Sequence, residues 1–477
     1  MDDKSMLSMD EGPMREMGRK ALDMIIDHFL NMKKEPVIGK RSRKELNGMF
    51  DLSIPEMPQD IGTLLEEVGE KVFSNILHLD HPRCFAFVPG PSNFLAVIGD
   101  MLASGFNVFN GIWLESSAAT QIELTVIDWL RQAVGYGKGS GGLFVSGGSA
   151  ANLTAICVAR EKLLGEDFSL GTVYFSDQTH SSVRKALRIL GIPEARVRTI
   201  PSSESFTLEV DRLASAVAED RSRGLQPFLV IGNGGTTNTG AVDPLGDLAD
   251  FCRRESLWYH VDGAIGASTM FCEHGRRHLS GIEKADSITL DPHKWLFQSY
   301  EIGCLLVKNR EDLLETFHMR PEYLQDAKSS IDEPNLADFG IQLTRDFKAL
   351  KLWLTFRAFG SRAISDALEW GFHLAEFAAG EIGLRDDFEL VSEPSMGILC
   401  FRYVPEESAA VDVPMLQKNI VERLIADGFA MLTTTVIHGK TVLRMCTINP
   451  RTTHDDIRQT LDRVSTIGMN LTNKNKE

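Results

Sequence analysis

Five stretches of this chain hold side chains suited to chemistry, and one lysine is the residue that the others must explain. Lys294 closes the run Ser287-Ile288-Thr289-Leu290-Asp291-Pro292-His293-Lys294-Trp295, in which a β-forming apolar segment ends at a turn just before a second apolar patch. Burial between two apolar segments would lower the pKa of its amine and favour the nucleophilic form. Taken alone, a lysine in such a context more often snorkels to solvent. The turn Ser146-Gly147-Gly148-Ser149-Ala150-Ala151-Asn152 opens a helical run, so its glycines, its N–H groups and the helix dipole could cradle a phosphate. It lacks the lysine of a P-loop and the dinucleotide glycine spacing, and a simple tight turn is the alternative. Residues 176–182 bring His180, which by itself reads as a cap or a core histidine, and residues 234–240 bring threonines on a glycine-rich turn. His260-Val261-Asp262-Gly263-Ala264 puts a carboxylate among apolar neighbours, where it needs a cation or a hydrogen-bond donor.

A phosphate cradle, a buried acid, a histidine and a desolvated lysine are together what pyridoxal 5'-phosphate (PLP) requires. Lys294 would condense with the aldehyde, and Asp262 would pair with the pyridine nitrogen and keep it protonated. His180 would lie over the ring face, and the 147–151 turn would hold the phosphate.

The elements that must position these residues follow from periodicity. Between about 140 and 310, β-rich runs at 143–145, 172–175, 228–231, 258–261, 288–290 and 304–307 alternate with helical stretches. That alternation predicts a mostly parallel sheet covered on both faces, with ligands bound beyond the carboxyl ends of its strands. Upstream, amphipathic helices are expected from Pro13 to about Phe29 and from about Asp60 to Leu79, then a helix through 120–130. The first two cannot bury their apolar faces alone and should pack on another domain or a second subunit. Residues 81–90 form a loop that could line a pocket, with an ordinary interdomain connection as the equal alternative. Downstream, strands at 397–403, 430–434 and 441–447 with helices near 413–427 and 453–467 predict a small α+β unit. The expected division is an N-terminal helical segment (1–92), a large α/β domain (93–352) and a small C-terminal α+β domain (353–477).

Composition narrows the function classes. A net charge of −16 without a run of Lys or Arg argues against nucleic-acid binding. Seven scattered cysteines with no Cys-x-x-Cys spacing point to reduced thiols in the cytoplasm rather than a disulfide framework or a zinc site. No apolar stretch is long enough for a membrane span, and no secretory leader is expected behind Met1-Asp2-Asp3-Lys4.

The motifs at 81–89, Trp129-Leu130 after Asp128, Gly148-Ser149-Ala150, 176–182, Gly235-Thr236-Thr237, 260–264 and 292–295 occur in family order, and with them the chain resembles the group II PLP-dependent amino-acid decarboxylases, the aromatic-L-amino-acid decarboxylases in particular. The resemblance implies an α/β fold of the PLP-dependent transferase fold type I, built as a homodimer with its active site at the interface. It implies cofactor contacts from Gly148, Ser149, Ala150, Ala151, His180 and Thr237, and from Asp262, Ala264, Asp291, His293 and Lys294. Substrate contacts would come from Phe87, Gly90 and His180, with Phe109 and Gly111 facing the partner's pocket. Tyr323 matches the family's catalytic-loop tyrosine, able to deliver a proton to the substrate Cα after carbon dioxide leaves. Relatives with phenylalanine there tend to become aldehyde synthases. Asp291 stands where relatives often carry asparagine, and its charge would repel a phosphate unless turned away or neutralised. Gly90 stands where animal members place a threonine, and Thr344 precedes Arg345 where plant members carry a small selectivity residue.

The expected activity is decarboxylation of an L-amino acid, with Phe85, Phe87, Phe109 and Trp113 offering apolar walls for an aromatic substrate. Arg83 raises the alternative of an acidic substrate such as glutamate or aspartate. Aldehyde synthesis or transamination on the same fold, and a noncatalytic cofactor-binding scaffold, are the other readings.

Overall fold

The apolar runs in the middle of the chain become strands of one sheet, most of them buried on both faces. The computed structural model describes residues 7–50, 53–319, 330, 332–405 and 412–474. Within it β1 (Gly141–Val145), β2 (Gly171–Ser176), β3 (Val197–Ile200), β4 (Gln226–Asn233), β5 (Trp258–Asp262), β6 (Ser287–Leu290) and β7 (Gly303–Val307) lie in the order β1-β7-β6-β5-β4-β2-β3. From β3 to β6 the neighbours are parallel, joined through covering helices such as Ser181–Ile189 and Leu245–Glu255. The link from β6 to β7 holds only the four-residue helix Pro292–Trp295, too short to carry the chain back across the sheet, so β7 returns antiparallel to both β6 and β1. All five of β1, β2, β4, β5 and β6 therefore end on one edge.

Each of the six strands expected in this region lies inside an observed one. β3 escapes a hydropathy reading because it is a four-residue edge strand with only Ile200 buried. A second sheet, order β10-β11-β9-β8, is antiparallel throughout: β8 (Phe388–Ser395), β9 (Ile398–Tyr403), β10 (Thr433–Ile437) and β11 (Lys440–Cys446). β8 is missed by pattern because it is an edge strand with breaks in register after Leu390 and Ser392. The strand expected at 430–434 is displaced: Met431 instead exchanges hydrogen bonds with the 83–85 segment, Phe85 N donating to Met431 O and Met431 N to Arg83 O. That exchange buries Phe85 completely in the core of the small sheet, so it is not a pocket wall.

The helix expected over 60–79 is shorter. Asp60 caps it through Thr63 N at 2.9 Å, but the α-helix stops at Glu67 and widens into a π turn at Val68–Val72. Leu77 then pairs with Ile38 in an extended bridge. The first helix, Glu11–Asn31, has no buried residue. Helix Ala349–Gly383 runs through residue 352 and bends at Gly360, where φ is +75°.

Trp295 locks the lysine-bearing turn to the rest of the protein. Its indole is fully buried and lies 5.0 Å from the Phe372 ring. Helix Ala349–Gly383 and the β8–β9 turn approach it through glycines: a Cβ on Gly371 would sit 2.9 Å from the indole, and so would one on Gly397. Replacing Trp295 with alanine should cost about 3–5 kcal/mol, read as a lower urea midpoint, because the rigid glycine walls cannot collapse into the gap.

Candidate active site

The strand ends converge on a cleft of about 350 Å³ lined by the 146–150 turn, Asn152, His180, Ser182, Asn233, residues 235–237, Asp262, Ala264, Ile265, Asp291, His293 and Lys294. Five chain segments far apart in sequence meet here because parallel strands end together.

Pro292 at the first helical position starts the short helix that holds Lys294. The ammonium Nζ lies 2.9 Å from Asp291 Oδ2. Burial is the strongest single influence on Lys294 and pulls its pKa down, but the Asp291 carboxylate, helped by Asp262, more than offsets it, and the net shift is upward. The expected lowering is thus reversed, because the sequence gives no sign that Asp291 turns back onto the amine three residues on. Asp291 is 2% exposed, and its other oxygen, Oδ1, has no hydrogen-bond partner.

Asp262 ends β5, in register with Asn233 of β4 and Thr289 of β6. It has no cation of its own on the sheet and is satisfied by donors instead: Asn152 Nδ2 reaches Oδ2 at 2.9 Å and Ala264 N reaches Oδ1 at 3.2 Å. Asn152 is itself held. Its Oδ1 accepts from Thr289 Oγ1 at 2.7 Å and from His260 Nε2 at 3.0 Å, which leaves its amide hydrogens for Asp262 and Ser182. Burial pushes the His260 pKa down to about 4, so the ring is neutral, with its proton on Nε2 and Nδ1 accepting from Ser287 Oγ at 2.8 Å. Ser287 in turn accepts from Trp258 Nε1 at 2.9 Å.

Opposite, the 17-residue helix Gly148–Leu164 begins at the cleft. A Cβ on Gly148 would come within 2.9 Å of Asp291 Oδ2 and crowd the carboxylate that holds Lys294. Gly148, Ser149 and Ala150 face the cleft, whereas Ala151 is buried in the core behind it and does not line the wall. His180 caps helix Ser181–Ile189, its Nδ1 2.8 Å from Ser182 Oγ, and its loop is tied down by Asn233 Nδ2 donating to Thr179 Oγ1 at 3.1 Å. His293 is kept neutral mainly by burial, with Nδ1 accepting from Ile302 N at 3.3 Å.

The expected substrate contacts other than His180 lie outside this wall. Phe87 is 55% exposed, with φ at +53°. Gly90 is packed so that a Cβ there would sit 2.7 Å from Tyr300 Oη and 2.9 Å from the His293 carbonyl. Phe109 and Gly111 belong to a loop fixed by the buried pair Glu123–Arg345: Asn110 Nδ2 donates to Glu123 Oε2 at 2.8 Å, and Asn110 N to Arg345 O at 2.7 Å. Tyr323 lies outside the described residues. Sequence reasoning missed Asn152 as the support of Asp262, since Asp262, His260 and Thr289 are all more than a hundred residues away. It also missed Arg444, which donates from Nε to Thr237 O at 2.9 Å and from Nη1 to Phe87 O, joining two site loops.

The residues fit PLP. One wall holds an amine, another a hydrogen-bonded carboxylate, and between them a glycine-lined helix start offers N–H groups to a phosphate. The buried, unpartnered Asp291 Oδ1 marks a polar position still to be satisfied. Residues 43–404 match the model of the pyridoxal-dependent decarboxylase conserved domain. The chain belongs to the pyridoxal-dependent decarboxylases. It is 45% identical over 469 residues to the aromatic-L-amino-acid decarboxylase of Bacillus atrophaeus, covering 98% of this chain and 97% of that protein. The phenylacetaldehyde synthase of Arabidopsis thaliana is 31% identical over 475 residues, 96% of each chain. The crystal structure of Oryza sativa TDC with PLP and tryptamine superposes with a TM-score of 0.92 at 29% identity, covering 98% of this chain and 100% of that one. This decarboxylase is accordingly a PLP-dependent carboxy-lyase with a fold-type-I α/β architecture.

The Lys294–Asp291 pair gives a pH-dependent outcome. The apoenzyme should take up PLP faster as pH rises, because the raised pKa keeps the amine protonated at neutral pH. Asp291→Asn removes the stabilising charge and leaves burial, so its uptake profile should move to lower pH; stopped-flow absorbance across pH 6–10 checks this, and an unmoved profile would refute the pairing.

Proposed function

We propose that this decarboxylase converts aromatic L-amino acids to the corresponding amine and carbon dioxide. The finding that carries the reading is the 45% identity to an aromatic-L-amino-acid decarboxylase over 98% of this chain. Arg83, the residue that raised the acidic alternative, is committed elsewhere. Its Nε donates to Phe429 O at 2.8 Å, its guanidinium stacks 4.3 Å above the Phe429 ring, and Asp456 lies 3.8 Å away. The relatives named tyrosine or tryptophan decarboxylases point the same way.

In the reaction, bound PLP supplies the electron sink for the bond that breaks. Lys294 is the amine that anchors it, with Asp291 holding and releasing the amine's proton. Asp262 keeps the ring nitrogen protonated, and Asn152 prevents that carboxylate from rotating away. His180, with Nδ1 taken by Ser182, offers Nε2 to the substrate at the mouth. Tyr323 returns the proton to Cα, which favours amine over aldehyde as product.

We read the enzyme as a cytoplasmic homodimer with the site at its interface. In support, no residue of helix Glu11–Asn31 is fully buried within the chain, and Leu30, Ile54, Met57, Phe106 and Leu114 are between 74% and 90% exposed. Phe109, half-buried and absent from its own chain's cleft, would serve a partner's, whereas Gly111 is buried within its own chain. All seven cysteines are free thiols, which suits a reducing compartment. No described helix is long and apolar enough to cross a membrane.

Carbon dioxide release should be at least about a hundredfold faster, as kcat/KM, with tryptophan, tyrosine or phenylalanine than with glutamate or aspartate, a gap of roughly 2.7 kcal/mol. Preference for an acidic substrate would overturn the reading. Tyr323→Phe should cut amine formation at least tenfold and raise the aldehyde share of product; unchanged amine output would remove Tyr323 from the mechanism.

A further inference from the structure

Away from the cleft, two histidines and a glutamate meet where the N-terminal helix joins the rest of the chain. We infer that His28, Glu35 and His78 form a binding site for a divalent first-row ion of the zinc class, with Asp80 as its outer partner. One ligand atom from each of the three lies within 4.8 Å of the others. His28 Nδ1 is 3.3 Å from Glu35 Oε2. A tetrahedral ion with bonds of about 2.0–2.1 Å places its ligands about 3.3 Å apart, so that edge already has the span of a coordination shell. Closing the third corner needs a movement of about 1.5 Å at most.

The ring orientation agrees. His28 Nε2 lies 2.9 Å from Asp80 Oδ2, which fixes the proton on Nε2 and turns Nδ1 toward Glu35. A carboxylate behind a ligating imidazole is the usual outer support of a metal site and raises the basicity of the ligand. The backbone places the other two donors. Glu35 follows the turn Met32–Lys34, its N–H bonded to Met32 O at 3.1 Å, and His78 N donates to Val37 O at 2.9 Å beside the Ile38–Leu77 bridge. The donors therefore come from a helix end, a turn and an extended segment held in register with each other. Two imidazoles and one carboxylate suit zinc or cobalt better than magnesium or calcium, which prefer oxygen. Without an ion, His28 can satisfy both carboxylates only as an imidazolium. Binding replaces the Nδ1 proton with the metal and releases that proton. The bound ion would clamp helix Glu11–Asn31 to residues 78–80, immediately ahead of the 81–90 loop.

The test is calorimetric titration of zinc chloride into holoenzyme that has been treated with a chelator and desalted. One ion per chain is expected. Glu35→Gln and His78→Ala, each checked for an unchanged circular dichroism spectrum and unchanged decarboxylation, should each weaken binding at least tenfold. Asp80→Asn should weaken it about 10- to 100-fold without changing the stoichiometry. Less than half an ion per chain overturns the site. Full binding that neither Glu35→Gln nor His78→Ala alters also overturns it, by placing the ion on thiols or other groups. Loss in only one of those two variants overturns the three-ligand assignment.

Discussion

The structure depends on satisfying a carboxylate at the buried end of β5. Asp262 is 7% exposed, and a buried carboxylate is costly unless hydrogen-bond donors meet it. The donors are an amide and a backbone N–H rather than a neighbouring base, so the carboxylate is satisfied without a salt bridge. The chain Trp258, Ser287, His260, Asn152 has one consistent set of proton positions once His260 is neutral, and burial makes it neutral. The network draws on β5, β6 and the helix after β1, which explains why the sheet order and the register matter to the chemistry as well as to stability.

Lys294 and Asp291 pose the complementary problem. An ammonium and a carboxylate three residues apart satisfy each other on a turn that Trp295 pins from behind. Such a pair holds the amine in place but protonated, so the lysine is stored rather than activated before PLP arrives. Lys351, buried more deeply than Lys294, is arranged differently. It is bonded to Asp100 and to the Ser299 and Glu301 carbonyls, and it does not line the cleft.

Much of this was legible in the sequence because the signals are local. Apolar β-forming runs marked six strands of the large sheet, and the polar residues just after them marked the cleft. Lys294, Asp262, His180 and the 148–150 turn do meet there. The failures came from interactions between distant segments. Asp291 folding back on Lys294 reversed a pKa argument built on burial alone. Met431 pairing with the 83–85 segment moved one strand and removed Phe85 from the pocket. Asn152 reads as the last residue of a turn, and nothing local reveals that it supports a carboxylate on β5. Gly90 reads as a missing side chain, although its space is taken by Tyr300.

The central claim is that the amine of Lys294, rather than that of any other lysine, carries PLP in the cleft that Asp262 shares. Reducing the holoenzyme with borohydride, digesting it and locating the cofactor-bearing peptide by mass spectrometry tests this directly. The label should sit on Lys294 at one per chain; a label on Lys351 or on a surface lysine would contradict the account.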